Sequence, residues 1–158
     1  MAEPTVFANP EELKMAVGQQ LGHSDWIEVT QEKVNMFADA TDDHQWIHVD
    51  PDRAAKGPFG VTIAHGYFTL SLVSALLPRL IEVRHVSMSI NYGTNKVRFP
   101  APVPVGSLVR ASAQILSVDD VPGGAQVTFL TTIEREGSDK PCCVVESIIR
   151  YLALPAKD

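Results

Sequence analysis

From Val86 onwards the chain alternates with a period of two. Val86, Met88, Ile90 and Tyr92 are separated by Ser87, Ser89 and Asn91; the spacing returns in Val109, Ala111, Ala113 and Ile115, and again in Val127, Phe129, Thr131 and Ile133. Successive side chains of a strand point to opposite faces, so each stretch predicts a strand with one covered face. The tracts at residues 101–106 (APVPVG), 121–124 (VPGG) and 136–141 (EGSDKP) are rich in turn formers, and residues 142–154 read as the last strand.

Before Val86 the pattern is mostly helical. Asn9, Pro10, Glu11 and Glu12 give a capping side chain, a proline at the first helical position and acids in the first turn, and that helix ends near Gly18. Residues 23–29 mix aromatic and β-branched side chains as a short strand does, and Thr30 then caps a helix whose Val34, Phe37 and Ala38 share one face. Asp50-Pro51 starts another helix, which the Gly57-Pro58-Phe59-Gly60 cluster ends. Residues 66–81 (GYFTLSLVSALLPRLI) are apolar on nearly every side, which predicts a helix buried all round, kinked or ended by Pro78.

One buried helix followed by an antiparallel meander, without β-α-β alternation, predicts a single α+β domain over residues 1–158 in which a curved antiparallel sheet wraps a long central helix. Such a sheet leaves an edge strand, and pairing edges across a two-fold axis hides it, so a homodimer is expected.

At 158 residues, 45% hydrophobic and 20% charged, the chain has the balance of one globular domain and not of a disordered segment. A formal net charge of −6 disfavours a general nucleic-acid binder, which needs a basic field. The apolar run at residues 67–77 is too short to span a bilayer, so no membrane segment is expected. Cys142 and Cys143 are neighbours whose side chains leave a strand on opposite faces, which disfavours a bond between them. With no disulfide framework and no basic, apolar leader in the opening MAEPTVF, a cytoplasmic location is expected.

Titratable side chains concentrate in residues 40–55 (ATDDHQWIHVDPDRAA). Asp43 and His48 are five residues apart in what reads as a loop between helices, close enough to hold one water and move its protons in both directions. The same residues also allow a plainer role, with Asp43 capping a turn and His48 satisfied in the core, and Asp42 competes with Asp43. His44 and His48 have the H-x-x-x-H spacing of two metal ligands on one helical face. A zincin carries a Glu after the first His, however, and here that place holds Gln45, so no metal is expected.

The segment resembles the signature of the R-specific enoyl-CoA hydratases, the MaoC-like proteins of the hotdog fold: Asp, any residue, Asn, Pro, an aliphatic, His, and after five more residues a small one. Here the places are filled by Asp43, His44, Gln45, Trp46, Ile47, His48 and Ala54, with Gln for Asn and Trp for Pro. The variant DHQWIHVDP, together with IAHGYFTLSL and NYGTNKVRFPAPVPVG downstream, is similar to the nodulation-protein-N-like branch of that family. The resemblance covers roughly Phe37 to Gly106.

The resemblance implies that Asp43 and His48 activate a water that adds across a trans-2-enoyl-CoA, giving the (R)-3-hydroxyacyl thioester without a cofactor. It also implies that the Gly66 N–H at the head of the central helix receives the charge of the thioester oxygen. Gln45 and Ser74 are candidate substrate-site residues, and His65 reads as structural and not as a second base. Lys96 with Arg98, or Arg53 with Lys56, are candidates to meet coenzyme A phosphates, and Phe59, Tyr67, Phe68 and Tyr92 to line an acyl tunnel. The same site serves the alternative of a 3-hydroxyacyl dehydratase acting on an acyl-carrier-protein thioester. From another class comes a non-catalytic acyl-binding hotdog protein.

Overall fold

In the computed structural model, which describes residues 2–153, the caps expected from local chemistry are in place. Strand β1 (Thr5–Phe7) leads into helix α1 (Pro10–Leu13), where the Asn9 side chain accepts the Glu12 N–H at 3.1 Å; a 3₁₀ turn follows and ends at Ala16, two residues before the expected Gly18. Of residues 23–29, expected as one strand, only His23, the end of β2 (Gln20–His23), and β3 (Ile27–Glu28) are extended in the sheet. Ser24 divides them: its hydroxyl donates to the Asp25 carbonyl and accepts the Ala111 N–H, turning the chain against the sheet.

Thr30 Oγ1 accepts the Lys33 N–H at 3.2 Å to start α2 (Gln31–Thr41), which buries Val34 and Ala38. Two short helices follow, α3 (Trp46–Val49) and α4 (Pro51–Ala55), the second capped by Asp50. The central segment is α5 (Gly66–Ser71), α6 (Val73–Leu76) and a 3₁₀ turn that holds Pro78 and ends at Arg79. Strands β4 (Ile81–Val83), β5 (Met88–Arg98), β6 (Leu108–Val121), β7 (Gly124–Arg135) and β8 (Cys143–Leu152) complete the chain; the expected end of the last strand at Leu154 lies outside the described residues.

Five strands lie in the order β2-β6-β7-β8-β5, antiparallel throughout, and β3 also pairs with β6 to make a six-stranded sheet; β1 and β4 form a separate parallel pair. The period-two reading is correct at its centre, where Val109, Ala111, Ile115, Val127, Phe129 and Ile133 turn inward and pack with Phe68, Val73, Leu76 and Leu77 of the central segment in one core. Burial of a side chain such as Phe129 is worth about 1.5–3 kcal/mol. The fold is the α+β hotdog, with a curved sheet around a helix.

Two expectations need correction. The central helix is not buried all round: Phe68, Val73, Leu76 and Leu77 are inside, but Tyr67, Ser71, Ser74 and Ala75 are exposed along one flank. Likewise β5 has no covered face in the single chain, and Met88, Ile90 and Tyr92 are exposed although their spacing matches the buried strands. The physical reason is position, because β5 is the edge of the sheet and the helical flank beside it has no further layer to pack on. A groove between them is lined by Val73, Ser74, Ser89, Asn91 and Ile149.

Candidate active site

At the end of α2 the chain reverses through Asp42, which closes the helix in the left-handed conformation at φ 58°, one that Asp tolerates better than most residues. That role occupies Asp42 and leaves Asp43 as the first residue of the connecting loop. The Asp43 carboxylate is exposed, and its Oδ1 accepts the Gln45 N–H at 3.4 Å. Gln45 thus meets Asp43 through its main chain.

His48 lies on α3 and not in an open loop, because the chain makes one helical turn from Trp46 before Asp50. The residue is 6% exposed, and its Nδ1 is 2.7 Å from the Ile63 carbonyl. A carbonyl only accepts, so Nδ1 carries the hydrogen and Nε2 is left as the free lone pair. Burial pushes the imidazole below its ordinary value, with His65 acting in the same direction, against the Ile63 bond and the Asp43 charge. The group is therefore an uncharged base near neutral pH.

The stretch at residues 62–65 runs beside this turn and pins it. Ile63 N–H donates to the Ile47 carbonyl at 3.0 Å, while the Gln31 side chain donates to the His48 carbonyl at 2.7 Å and accepts from Thr62 Oγ1 at 2.6 Å. His65 is also buried: its ring stacks on that of His48 with centroids 3.9 Å apart, and its Nε2 lies 2.9 Å from the Asp43 carbonyl. Asp43, His48 and His65 each bring one nitrogen or carboxylate oxygen within 4.8 Å of the others.

His48 opens on a cavity of about 340 Å³ whose wall includes Phe59, Gly66, Thr69, Phe99, Val103 and Cys142. Gly66 is the first residue of α5, where N–H groups have no partner within the helix, and no side chain caps it. The glycine also makes room, since a Cβ there would meet the Phe99 ring at 3.0 Å.

Other expected residues lie elsewhere. Ser74 is not on the cavity wall but in the flank groove, where its Oγ accepts from Asn91 Nδ2 at 3.3 Å. His44 precedes α3, so the H-x-x-x-H pair does not share a helical face; its Nε2 pairs with Asp39 at 2.8 Å, and that hydrogen bond raises its pKa. The Arg53 guanidinium stacks 4.3 Å over the Trp46 ring, and Lys56, Lys96 and Arg98 are exposed. Of the aromatic candidates Phe59 is on the cavity wall, Phe68 is in the core, Tyr67 is exposed, and Tyr92 lies under Arg150 at 3.7 Å. The sequence reading missed Phe99, Cys142 and the Gln31–Thr62 brace. No local signal marks the brace, whose partners are 31 residues apart.

Comparison with known proteins gives the family of the chain. The profile of the family described as MaoC like domain matches residues 12–136, beyond the stretch legible by motif. The 3-hydroxyacyl-thioester dehydratase Z of Mycobacterium tuberculosis is 58% identical over 148 residues, covering 93% of this chain and 98% of that protein. Nodulation protein N of Rhizobium leguminosarum bv. viciae is 46% identical over 129 residues, covering 79% and 80%. Among solved structures, the (R)-hydratase from A. caviae involved in PHA biosynthesis superposes with a TM-score of 0.69 at 27% identity, covering 88% of this chain and 96% of that one. With a profile across most of its length and a relative so similar over nearly all of it, the chain belongs to the MaoC-like family of hydratases and dehydratases.

Proposed function

We propose that this protein interconverts a trans-2-enoyl thioester and the (R)-3-hydroxyacyl thioester through a water held between Asp43 and His48. The observation that carries the reading is the tie of His48 Nδ1 to the Ile63 carbonyl, which leaves the Nε2 lone pair free on a ring that has a nitrogen within 4.8 Å of an Asp43 carboxylate oxygen, beside a cavity that His48 lines. In hydration the water gives a proton to the pair, its oxygen bonds to the β-carbon, and the proton is returned to the α-carbon. Dehydration runs the same steps backwards. As the β-carbon is attacked, the thioester oxygen gains charge, and Gly66, whose N–H starts α5 on the cavity wall, is assigned as the donor that receives it. A donor of this kind is typically worth about 3–4 kcal/mol in the transition state.

The cluster is read as a proton site and not as a metal site on geometric grounds. His48 and His65 lie face to face with ring planes 25° apart. A cation bonded to both at the usual ~2.1 Å would sit well out of the plane of at least one ring, away from its lone pair.

The fold itself also suggests the assembly. The exposed edge β5 and the exposed helical flank beside it are the surfaces a second copy covers in a homodimer. No helix among the described residues is long and apolar enough to cross a membrane, and the two free cysteines fit the reducing cytoplasm.

Hydration is followed as loss of enoyl-thioester absorbance by the purified protein, with coenzyme A and acyl-carrier-protein substrates in parallel and chiral analysis of the product. Turnover to the R product supports the reading, and the better carrier decides between the hydratase and the carrier-protein dehydratase. No turnover with either carrier, in either direction, leaves the acyl-binding alternative.

A further inference from the structure

His65 sits one residue before Gly66 and touches both halves of the proposed dyad. Its Nε2–H donates to the Asp43 carbonyl at 2.9 Å, and its ring lies against the His48 ring at 3.9 Å. Phe37 packs on the same imidazole with centroids 4.9 Å apart, closing it in from α2. The residue is 3% exposed and is not on the cavity wall, so it does not meet substrate.

A simple filler role does not account for this side chain. Its Nδ1 is buried without a hydrogen-bond partner among the described residues, a cost that a phenylalanine of similar shape avoids. What the imidazole supplies and Phe does not is the Nε2–H that ties down the Asp43 main chain. The His48 ring thus takes up its proton beside a flat, hydrogen-bonded ring that holds its orientation.

We propose that His65 is a positioning residue, one side chain that fixes Asp43 through its main chain and His48 through its ring face, and so sets the spacing between carboxylate and base. The inference rests on the hydratase reading above and adds to it a third residue that touches no substrate. It also links the dyad to the oxyanion donor, since His65 and Gly66 are consecutive: a shift of the head of α5 moves all three groups together.

The test uses His65→Phe, His65→Gln and His65→Asn in the full chain, with steady-state hydration kinetics and thermal melting. Phe keeps ring and volume without the donor; Gln places an amide N–H near the position of Nε2; Asn stops one bond short. Misplacement of about an ångström costs up to about a hundredfold in rate. The expected result is a kcat lowered about tenfold or more in His65→Phe, with KM within about twofold and melting unchanged or raised, and a kcat at least about threefold higher in His65→Gln than in His65→Asn. A folded His65→Phe protein with wild-type kcat overturns the proposal, as does equal kcat in the Gln and Asn variants if the Phe variant does not fold. Asp43→Asn and His48→Ala run alongside separate the two readings. If those two also keep full activity the hydratase site is wrong; if they lose it while the His65 variants do not, only the positioning role fails.

Discussion

The head and the flank of the central helical segment come from one apolar stretch of sequence and end in opposite surroundings. At the head, His65 is buried, Gly66 opens on the cavity, and the His48 and Asp43 backbones are each tied by a named hydrogen bond. Along the flank, Tyr67 is 71% exposed and Ser71 and Ser74 face a groove shared with β5. The head is built from groups of one chain, while the flank is the exposed surface proposed above to meet a second copy. Chemistry is therefore assigned to the head and assembly to the flank, and substitutions at the two places have different consequences.

The largest effect is expected at the head. Asp43→Asn and His48→Ala lower kcat by about 10²- to 10⁴-fold, the usual contribution of a general acid or base. Both proteins stay folded by circular dichroism, although His48→Ala also leaves the Ile63 carbonyl without its partner and melts lower. On the flank, Ile90→Arg places a charge on the exposed edge strand and is expected to convert a dimer to a monomer in sedimentation without unfolding it. A wild-type protein that sediments as a monomer breaks the comparison, because the flank then needs no cover.

The pH dependence separates the two regions more finely. With its pKa pushed down by burial, His48 remains a free base below the ordinary imidazole value, so kcat/KM holds as pH falls past about 6.5 and drops only lower. In the window between the lowered value and the ordinary one the unfolded chain binds more protons than the folded chain. Stability therefore rises with pH across that window, and the contribution is lost as the pH falls through it. Thermal melting from pH 5 to 8 checks the sign.

Smaller effects are expected at Gly66 and Ser74. In Gly66→Ala the new Cβ pushes on the Phe99 ring, which is 40% exposed and has room to yield, so kcat/KM falls a few-fold with little change in melting. Ser74→Ala removes one exposed 3.3 Å bond to Asn91 and changes stability by less than about 0.5 kcal/mol, with kcat intact. A large loss of kcat in Ser74→Ala brings the flank into the chemistry and erases the distinction.

The parts of this arrangement legible in the sequence are those encoded locally. Asn9, Thr30 and Asp50 each cap a helix by accepting an N–H three residues ahead, a pattern that spacing alone reveals. Alternation likewise located β6 and β7. For β5 the alternation gave the strand but not its surroundings, because period two states which side chains share a face and not what covers it. The same limit holds for the central helix, where apolar composition predicts burial all round and packing leaves one flank exposed. At the site, Asp43 and His48 were legible through motif and spacing. His65 was not, because its bond to Asp43 spans 22 residues and its stacking on His48 depends on how α3 and the head of α5 pack.

The central claim is that Asp43 and His48 work on one and the same water. It is tested most directly by kcat for the double variant Asp43→Asn with His48→Ala, set against the two single variants. Groups that act as a unit lose their effect together, so the double variant is expected to be about as slow as the slower single one. If the two losses multiply, the residues act independently and the shared water is wrong.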